Sequence, residues 1–136
     1  MKRPAALLPL GLLAAAAAAQ TGALDECSRQ SSSRMQVVQC LQSAQRTASD
    51  AMLETFADVE RRLRRREPAE AADAASAALR VSQRDFERYV AGQCGFVHGL
   101  AGGGDLGNTA ALACETDLLR QRAATLQTLL PKAPAN

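Results

Sequence analysis

Residues 41–63 read LQSAQRTASDAMLETFADVERRL. Apolar residues recur in this stretch at intervals of three and four, the spacing that places side chains on one face of a helix. They are Leu41, Ala44, Ala48, Met52, Phe56, Val59 and Leu63. We therefore predict a first long helix from about Ser33 to Arg66. Pro68 either ends this helix or opens the next one, because proline is tolerated only in the first turn.

Two further apolar stripes follow this helix. The second reaches Cys94, with Ser82 at its one polar position, and its apolar members are Ala72, Ala75, Leu79, Phe86 and Val90. The third begins at an N-cap, Asn108 or Thr109, and is closed by Pro131. Its buried side consists of Leu112, Leu119, Ala123, Leu126 and Leu130. No strand-like alternation of useful length is present, so we predict an all-α fold.

The composition supports small, closely packed helices. A chain of 136 residues makes one domain, and an apolar content rich in alanine and leucine favours helices over sheets. The four aromatic residues are Phe56, Phe86, Tyr89 and Phe96. We expect Phe86 and Phe96 to be mostly buried, with the Tyr89 hydroxyl at a polar edge.

The chain begins with the pattern of a secretory signal peptide, residues 1–23. Lys2 and Arg3 precede an apolar run of about 13 residues, too short for a membrane-spanning helix of about 20. Small residues allow cleavage after Ala19 or after Ala23. We expect a periplasmic or secreted protein, residues 24–136 forming one helical domain with no stable membrane insertion after cleavage.

The four cysteines predict two disulfide bonds in such an exported domain. A continuous helix from Cys27 to Cys40 would separate them by about 20 Å, too far for a bond. A Cys27–Cys40 bond therefore requires a fold-back, for which Ser31–Ser33 offers helix caps. Glycines allow a similar reversal between Cys94 and Cys114. We favour these two local bonds over the nested alternative, Cys27 with Cys114 and Cys40 with Cys94.

The sequence offers little for catalysis, cofactors or nucleic acid. Without Lys2 and Arg3, 14 basic residues remain against 14 acidic residues, and nucleic-acid binding normally needs a basic surplus. Cys94 and the single histidine, His98, have helical spacing, but a disulfide bond would remove the thiol from metal binding or nucleophilic catalysis. We predict a non-enzymatic protein without a metal or a cofactor.

A glycine-rich segment, Gly99–Asn108, lies between the second and third predicted helices. The fold we predict is a small disulfide-stapled bundle of about three helices with this segment as a loop. The loop is either a plain connector or a projection that enters a partner's cleft. If it binds, Asp105 is the first candidate for partner contact and His98 is the second.

The order of several residues resembles the LprI-type lysozyme-inhibitor domain, a family of small exported bacterial helical proteins. The resemblance rests on Glu26-Cys27, Cys40, Asp50-Ala51-Met52-Leu53, Gln83-Arg84-Asp85-Phe86, Cys94, the glycine-rich segment, Cys114, Arg122 and Leu126. It implies a soluble envelope protein that needs no cofactor, binds a protein partner such as lysozyme, and occludes its surface. The alternative is a structural or adaptor module that pairs through an exposed face of the long first helix.

Five arginines, Arg61, Arg62, Arg64, Arg65 and Arg66, suggest contact with an anionic polymer or lipid headgroup. The simpler interpretation is a solvated helix end, because cations complement the helix dipole there and acidic residues are close in sequence. This patch would repel a basic lysozyme, so such a partner should meet a different surface.

Overall fold

The protein is a bundle of four helices in a computed structural model that describes residues 22–66 and 68–129. The helices are α1 (Ala23–Gln30), α2 (Arg34–Leu63), α3 (Ala69–Leu100) and α4 (Gly104–Thr128). The all-α prediction is confirmed, but the count of about three helices is wrong because the sequence pattern does not reveal α1. A helix of eight residues is too short to show a repeated apolar stripe, and it depends on packing for stability.

Several sequence predictions concern residues outside the described part of the chain. Cleavage after Ala19, the buried position of Leu130 and the helix end at Pro131 are among them. Of the predicted signal peptide, Gly22 and Ala23 are described. In residues 22–66 and 68–129, no helix combines the length and the apolar character needed to cross a membrane.

Side chains near Ser33 fix the start of α2. The Ser33 hydroxyl oxygen accepts a hydrogen bond from the Gln36 amide at 3.3 Å, and the Gln36 side chain accepts one from the Ser32 amide at 3.0 Å. These bonds satisfy two backbone donors that would lack partners at a helix start. The helix ends at Leu63, before the predicted Arg66, and Pro68 is the N-cap residue of α3.

The directions of the helices follow from two core clusters. One cluster joins Leu41 of α2 to Ala113 of α4, together with Ala23 and Cys27 of α1. The other joins Val59 of α2, Leu126 of α4 and Leu79 of α3. Leu41 precedes Val59 in α2 and Ala113 precedes Leu126 in α4, so α2 and α4 run parallel. The helix α3 runs antiparallel to both. The start of α2, the end of α3 and the start of α4 therefore lie at the same end of the bundle.

Small residues let α2 and α4 pack closely. The largest fully buried side chains include Leu41 and Leu126. Several alanines are buried around them, namely Ala48, Ala72, Ala113 and Ala123. Alanine adds little bulk at a helix contact, so the helix backbones can approach each other.

Phe96 corrects one prediction, because its side chain is 61% exposed rather than buried. It is two positions from His98, and at about 100° per residue the two side chains point to nearly opposite sides of α3. His98 contacts α4, as described below, so Phe96 faces away from it. Phe86 is half-buried, and Tyr89 is exposed. The apolar stripe of α3 is thus covered less completely than its spacing indicates.

Two disulfide bonds join neighbouring elements. Cys27 bonds to Cys40 and Cys94 bonds to Cys114, each with a Cα–Cα distance of 5.6 Å. The pairing is the local one and not the nested one. The chain interrupts its helix between Gln30 and Arg34, so α1 folds back along α2 and the first bond can form.

Candidate functional site

A reversal of the chain over three residues, 101–103, joins α3 to α4. The Gly103 amide donates to the His98 carbonyl oxygen at 3.0 Å, and the Gly102 amide donates to the Gly99 carbonyl oxygen at 3.0 Å. Gly102 and Gly103 have φ values of +85° and +69°, which residues with a Cβ rarely adopt. This is a Schellman motif, in which the last carbonyls of a helix find partners in the turn.

The connection is therefore shorter than the predicted loop Gly99–Asn108, because helical residues occupy most of that segment. The predicted cap at Asn108 or Thr109 is wrong. The helix begins at Gly104, and its N-cap residue is Gly103, which has no side chain to donate or accept a bond. Glycine has a low helix propensity, so the sequence gives no sign of this early start.

Asp105 is exposed in the first turn of α4. The partial positive charge at a helix N-terminus favours a carboxylate at this position. The Asp105 carbonyl oxygen accepts a hydrogen bond from the Thr109 hydroxyl at 2.8 Å, which is a bond within the helix. Asp105 is thus held on a helix and is not at the tip of a mobile loop.

His98 packs against the beginning of α4. A Cβ added at Gly107 would lie 2.7 Å from the His98 carbonyl oxygen and 2.7 Å from its Cδ2 atom. Only glycine permits so close an approach. The imidazole is half-buried at this contact, and the Cys94–Cys114 bond fixes the same pair of helices one turn away. Contact of His98 with a partner remains a prediction.

A groove of about 490 Å³ brings Asp105 next to α2. The residues that line it are Arg34, Met35, Val38, Gln42, Asp105, Asn108, Thr109 and Leu112. Val38 and Leu112 are half-buried in it, whereas Arg34, Gln42, Asp105 and Asn108 are exposed. The sequence analysis identified Asp105 but missed the α2 residues, because only the parallel packing of α2 and α4 brings the two helix starts together.

Exposed apolar side chains are also present at this end. Met35, Phe96, Leu100 and Leu106 have exposed fractions of 72%, 61%, 71% and 61%. We call this region, formed by residues 34–38, 96–100 and 104–108, the glycine end. Large apolar side chains that remain in water at one end of a small domain are typical of a protein-binding surface.

The opposite end contains the arginine run. Asp58 binds Arg61 and Arg62 at 3.1 and 2.9 Å, and Glu60 binds Arg64 and Arg80, the latter at 2.6 Å. Hydrogen bonding to Arg80 holds the pKa of the Glu60 carboxyl below its ordinary value. We call residues 58–66 together with Arg80 the arginine end. Its ion pairs fit the interpretation of a solvated helix end.

The residues of the family resemblance meet in the middle of the bundle. Gln83 is buried, its side-chain nitrogen lies 3.5 Å from the Met52 sulfur, and its side-chain oxygen accepts a hydrogen bond from Arg122 at 3.3 Å. The Arg122 guanidinium lies 5.4 Å from the centre of the Phe86 ring, within cation–π range. These residues tie α2, α3 and α4 together, so this part of the resemblance lies in contacts between helices.

The four cysteines and Asp117 have partners within the described part of the protein. All four cysteines are in disulfide bonds, and Asp117 accepts a hydrogen bond from the Ala23 amide at 2.9 Å. In the described ranges, no group of three or more histidine, cysteine, aspartate or glutamate residues could hold a metal ion. The feature with the chemistry of a site is the glycine end.

These features define a small, disulfide-bonded helical domain with a partly apolar end. Residues 26–126 match the family described as Lysozyme inhibitor LprI. The chain belongs to this family, which is a family of inhibitor domains rather than enzymes. No curated protein and no solved structure matches the chain.

Proposed function

We propose that this protein acts in the bacterial envelope, in the periplasm or after secretion, and inhibits a lysozyme by covering part of its surface with the glycine end. The observation that carries the proposal is the exposure of Met35, Phe96, Leu100 and Leu106 at the end of the bundle that also contains the groove with Asp105. Membership of the LprI family supports a role in lysozyme inhibition. The two disulfide bonds suit an oxidising compartment.

The chemistry of the glycine end is suited to a protein partner. Exposed leucine, methionine and phenylalanine side chains gain free energy when a partner removes them from water, at roughly 25 cal/mol per Å² of apolar surface. Asp105 adds a carboxylate that can pair with a cation of the partner. An apolar centre with charged groups at its margin is the usual composition of a protein interface.

The rigidity of the reversal supports the same role. A mobile loop would lose conformational entropy on binding, which weakens affinity. Here the turn has internal hydrogen bonds, His98 contacts the start of α4, and Cys94 is bonded to Cys114. Phe96, Leu100 and Leu106 are consequently presented on two anchored helices, α3 and α4.

The distance between the two ends permits a basic partner. The 30 residues of α2 span about 45 Å at about 1.5 Å per residue. The Debye length is about 8 Å at physiological ionic strength. A basic lysozyme bound at the glycine end would therefore experience little repulsion from the arginine end.

The test is a lysozyme assay on cell-wall substrate with the purified, oxidised mature protein. We expect inhibition that Leu100→Ser weakens at least about tenfold, a loss of about 1.4 kcal/mol of binding. Leu129→Ser is the matched control, because Leu129 has a similar exposed fraction, 65%, and lies at the other end of the bundle. No inhibition by the unaltered protein at micromolar excess, across several lysozyme types, would reject the proposed function.

The adaptor alternative involves a different surface. On α2 the exposed large apolar residues are Met35 and Leu53, whereas α3 has four, namely Val81, Tyr89, Phe96 and Leu100. Pairing through a helix face would therefore use α3 rather than the long first helix. An adaptor would lose binding on Val81→Ser and Tyr89→Ser, both outside the glycine end, and would not slow lysozyme.

A further inference from the structure

The backbone amide of Ala23 is bound by a residue from the far end of the sequence. It donates to the Asp117 carboxylate of α4 at 2.9 Å. The residue before it, Gly22, is the N-cap residue of α1 and has no side chain to cap the helix. Asp117 therefore supplies from another helix the carboxylate that an N-cap aspartate would supply locally.

Ala23 and Gly22 also fit closely in the bundle. Ala23 is fully buried in the cluster that contains Cys27, Leu41 and Ala113. A Cβ added at Gly22 would lie 3.0 Å from Asp117 Oδ2, so the backbone at Gly22 passes close to the carboxylate. Both residues are parts of the folded domain and not a flexible extension of it.

A second contact fixes the same end of α1. Glu26 binds Arg120 of α4 at 2.8 Å, and the Cys27–Cys40 bond joins the next turn of α1 to α2. The first turn of α1 is thus attached to α4 at Ala23 and at Glu26. A chain that began at Leu24 would leave the Asp117 carboxylate without the Ala23 amide and would open a space in the cluster where Ala23 packs.

The sequence allows signal-peptide cleavage after Ala19 or after Ala23, and these contacts distinguish the two. We propose that cleavage occurs after Ala19, so that Gly22 and Ala23 remain in the mature protein and the Ala23 amide is capped by Asp117. The inference concerns processing alone and does not depend on the identity of the partner.

The first test is the intact mass of the full chain after export in a bacterial host. The expected product begins at Gln20, which retains Gly22 and Ala23. A product that begins at any other residue overturns the proposal.

The second test asks whether the contact matters for stability. Mature chains that begin at Gln20 and at Leu24 are produced by fusion to an unrelated signal peptide, each with Asp117 and with Asp117→Asn. We expect the Leu24 chain to melt about 5 °C below the Gln20 chain. We also expect Asp117→Asn to lower the melting temperature of the Gln20 chain by several degrees, and that of the Leu24 chain by much less.

Asp85→Asn serves as the control for the loss of a carboxylate. Asp85 lies on the exposed side of α3 and pairs with Arg88 at 3.2 Å, so its replacement should shift both chains slightly and equally. Equal melting temperatures for the Gln20 and Leu24 chains, or equal effects of Asp117→Asn in both, would contradict the proposed capping of Ala23.

Discussion

The two ends of the bundle differ in how their side chains are used. At the arginine end, Asp58 and Glu60 bind four arginines, so two carboxylates of the protein offset part of the positive charge. At the glycine end, four large apolar side chains remain exposed, and one of them, Met35, lines the groove that contains Asp105. The comparison teaches that a conspicuous run of charged residues can form ion pairs within the protein. The exposed apolar side chains, in contrast, form no such run in the sequence.

The largest expected effect comes from the disulfide bond between Cys94 and Cys114, which joins the two helices next to the glycine end. Replacing Cys94 and Cys114 by serine removes a crosslink and should lower the free energy of unfolding by about 3 kcal/mol. It should also weaken lysozyme inhibition, because the hairpin of α3 and α4 presents the exposed residues. Chemical denaturation and the inhibition assay measure the two effects.

The matched control replaces Cys27 and Cys40, whose bond joins α1 to α2 and leaves the connection between α3 and α4 intact. The loss of stability should be similar, about 3 kcal/mol, but inhibition should persist at temperatures where the domain is folded. An equal loss of inhibition in both double variants, measured on folded protein, would remove the distinction between the two regions.

A smaller effect is expected for Gly107→Ala. The added methyl would lie 2.7 Å from the His98 backbone oxygen, and relieving this overlap should cost about 2 kcal/mol of stability. Gly95→Ala is the control, since a Cβ there meets nothing within 4 Å. Alanine in a helix interior should stabilise the protein by about 0.5 to 1 kcal/mol. Thermal denaturation of both variants checks the prediction, and a loss of stability for Gly95→Ala together with none for Gly107→Ala would contradict it.

The substitution of one carboxylate at each end compares the two ends directly. Asp58→Asn and Asp105→Asn should each lower stability by about 0.5 kcal/mol, the first through exposed ion pairs and the second through the helix dipole. Only Asp105→Asn should weaken inhibition. If Asp58→Asn weakens inhibition instead, the arginine end contacts the partner and the assignment of the two ends is reversed.

The smallest effect concerns the pH dependence of the arginine end. The pKa of Glu60 is lowered in the folded protein, first by its hydrogen bond to Arg80. A lowered folded pKa contributes stability above the ordinary glutamate pKa of about 4.3, and the contribution is lost as pH falls through the folded value. The melting temperature of Glu60→Gln should therefore lie slightly below that of the unaltered protein at neutral pH, and the gap should close in acid. A gap that widens in acid would contradict the sign of the shift.

Much of the bundle could be predicted because its signals are local. The intervals of three and four in residues 41–63 predict a helix, and α2 covers this whole stretch. Ser33 and Pro68 are helix boundary residues with recognisable chemistry, and both stand at helix starts. The placement of the four cysteines, together with the short motifs between them, was sufficient to recognise the family.

The candidate site was harder to predict from the sequence. Gly104 starts a helix although glycine is a poor helix former, because the hydrogen bonds of the reversal stabilise that start. Phe96 was expected to be mostly buried and is 61% exposed, because the covering of α3 depends on where α2 and α4 lie. Asp105 was identified as a candidate from its position in the chain, but its groove required residues of α2.

The sequence by itself determined the helical class and the presence of the cysteines for two disulfide bonds, since the first follows from spacing over a few turns and the second from composition. Only the tertiary structure decided that Ala23 meets Asp117, a separation of 94 residues, and that the starts of α2 and α4 form one groove. The physical reason is that helix formation depends on neighbours three and four residues apart, whereas these contacts depend on how whole helices pack.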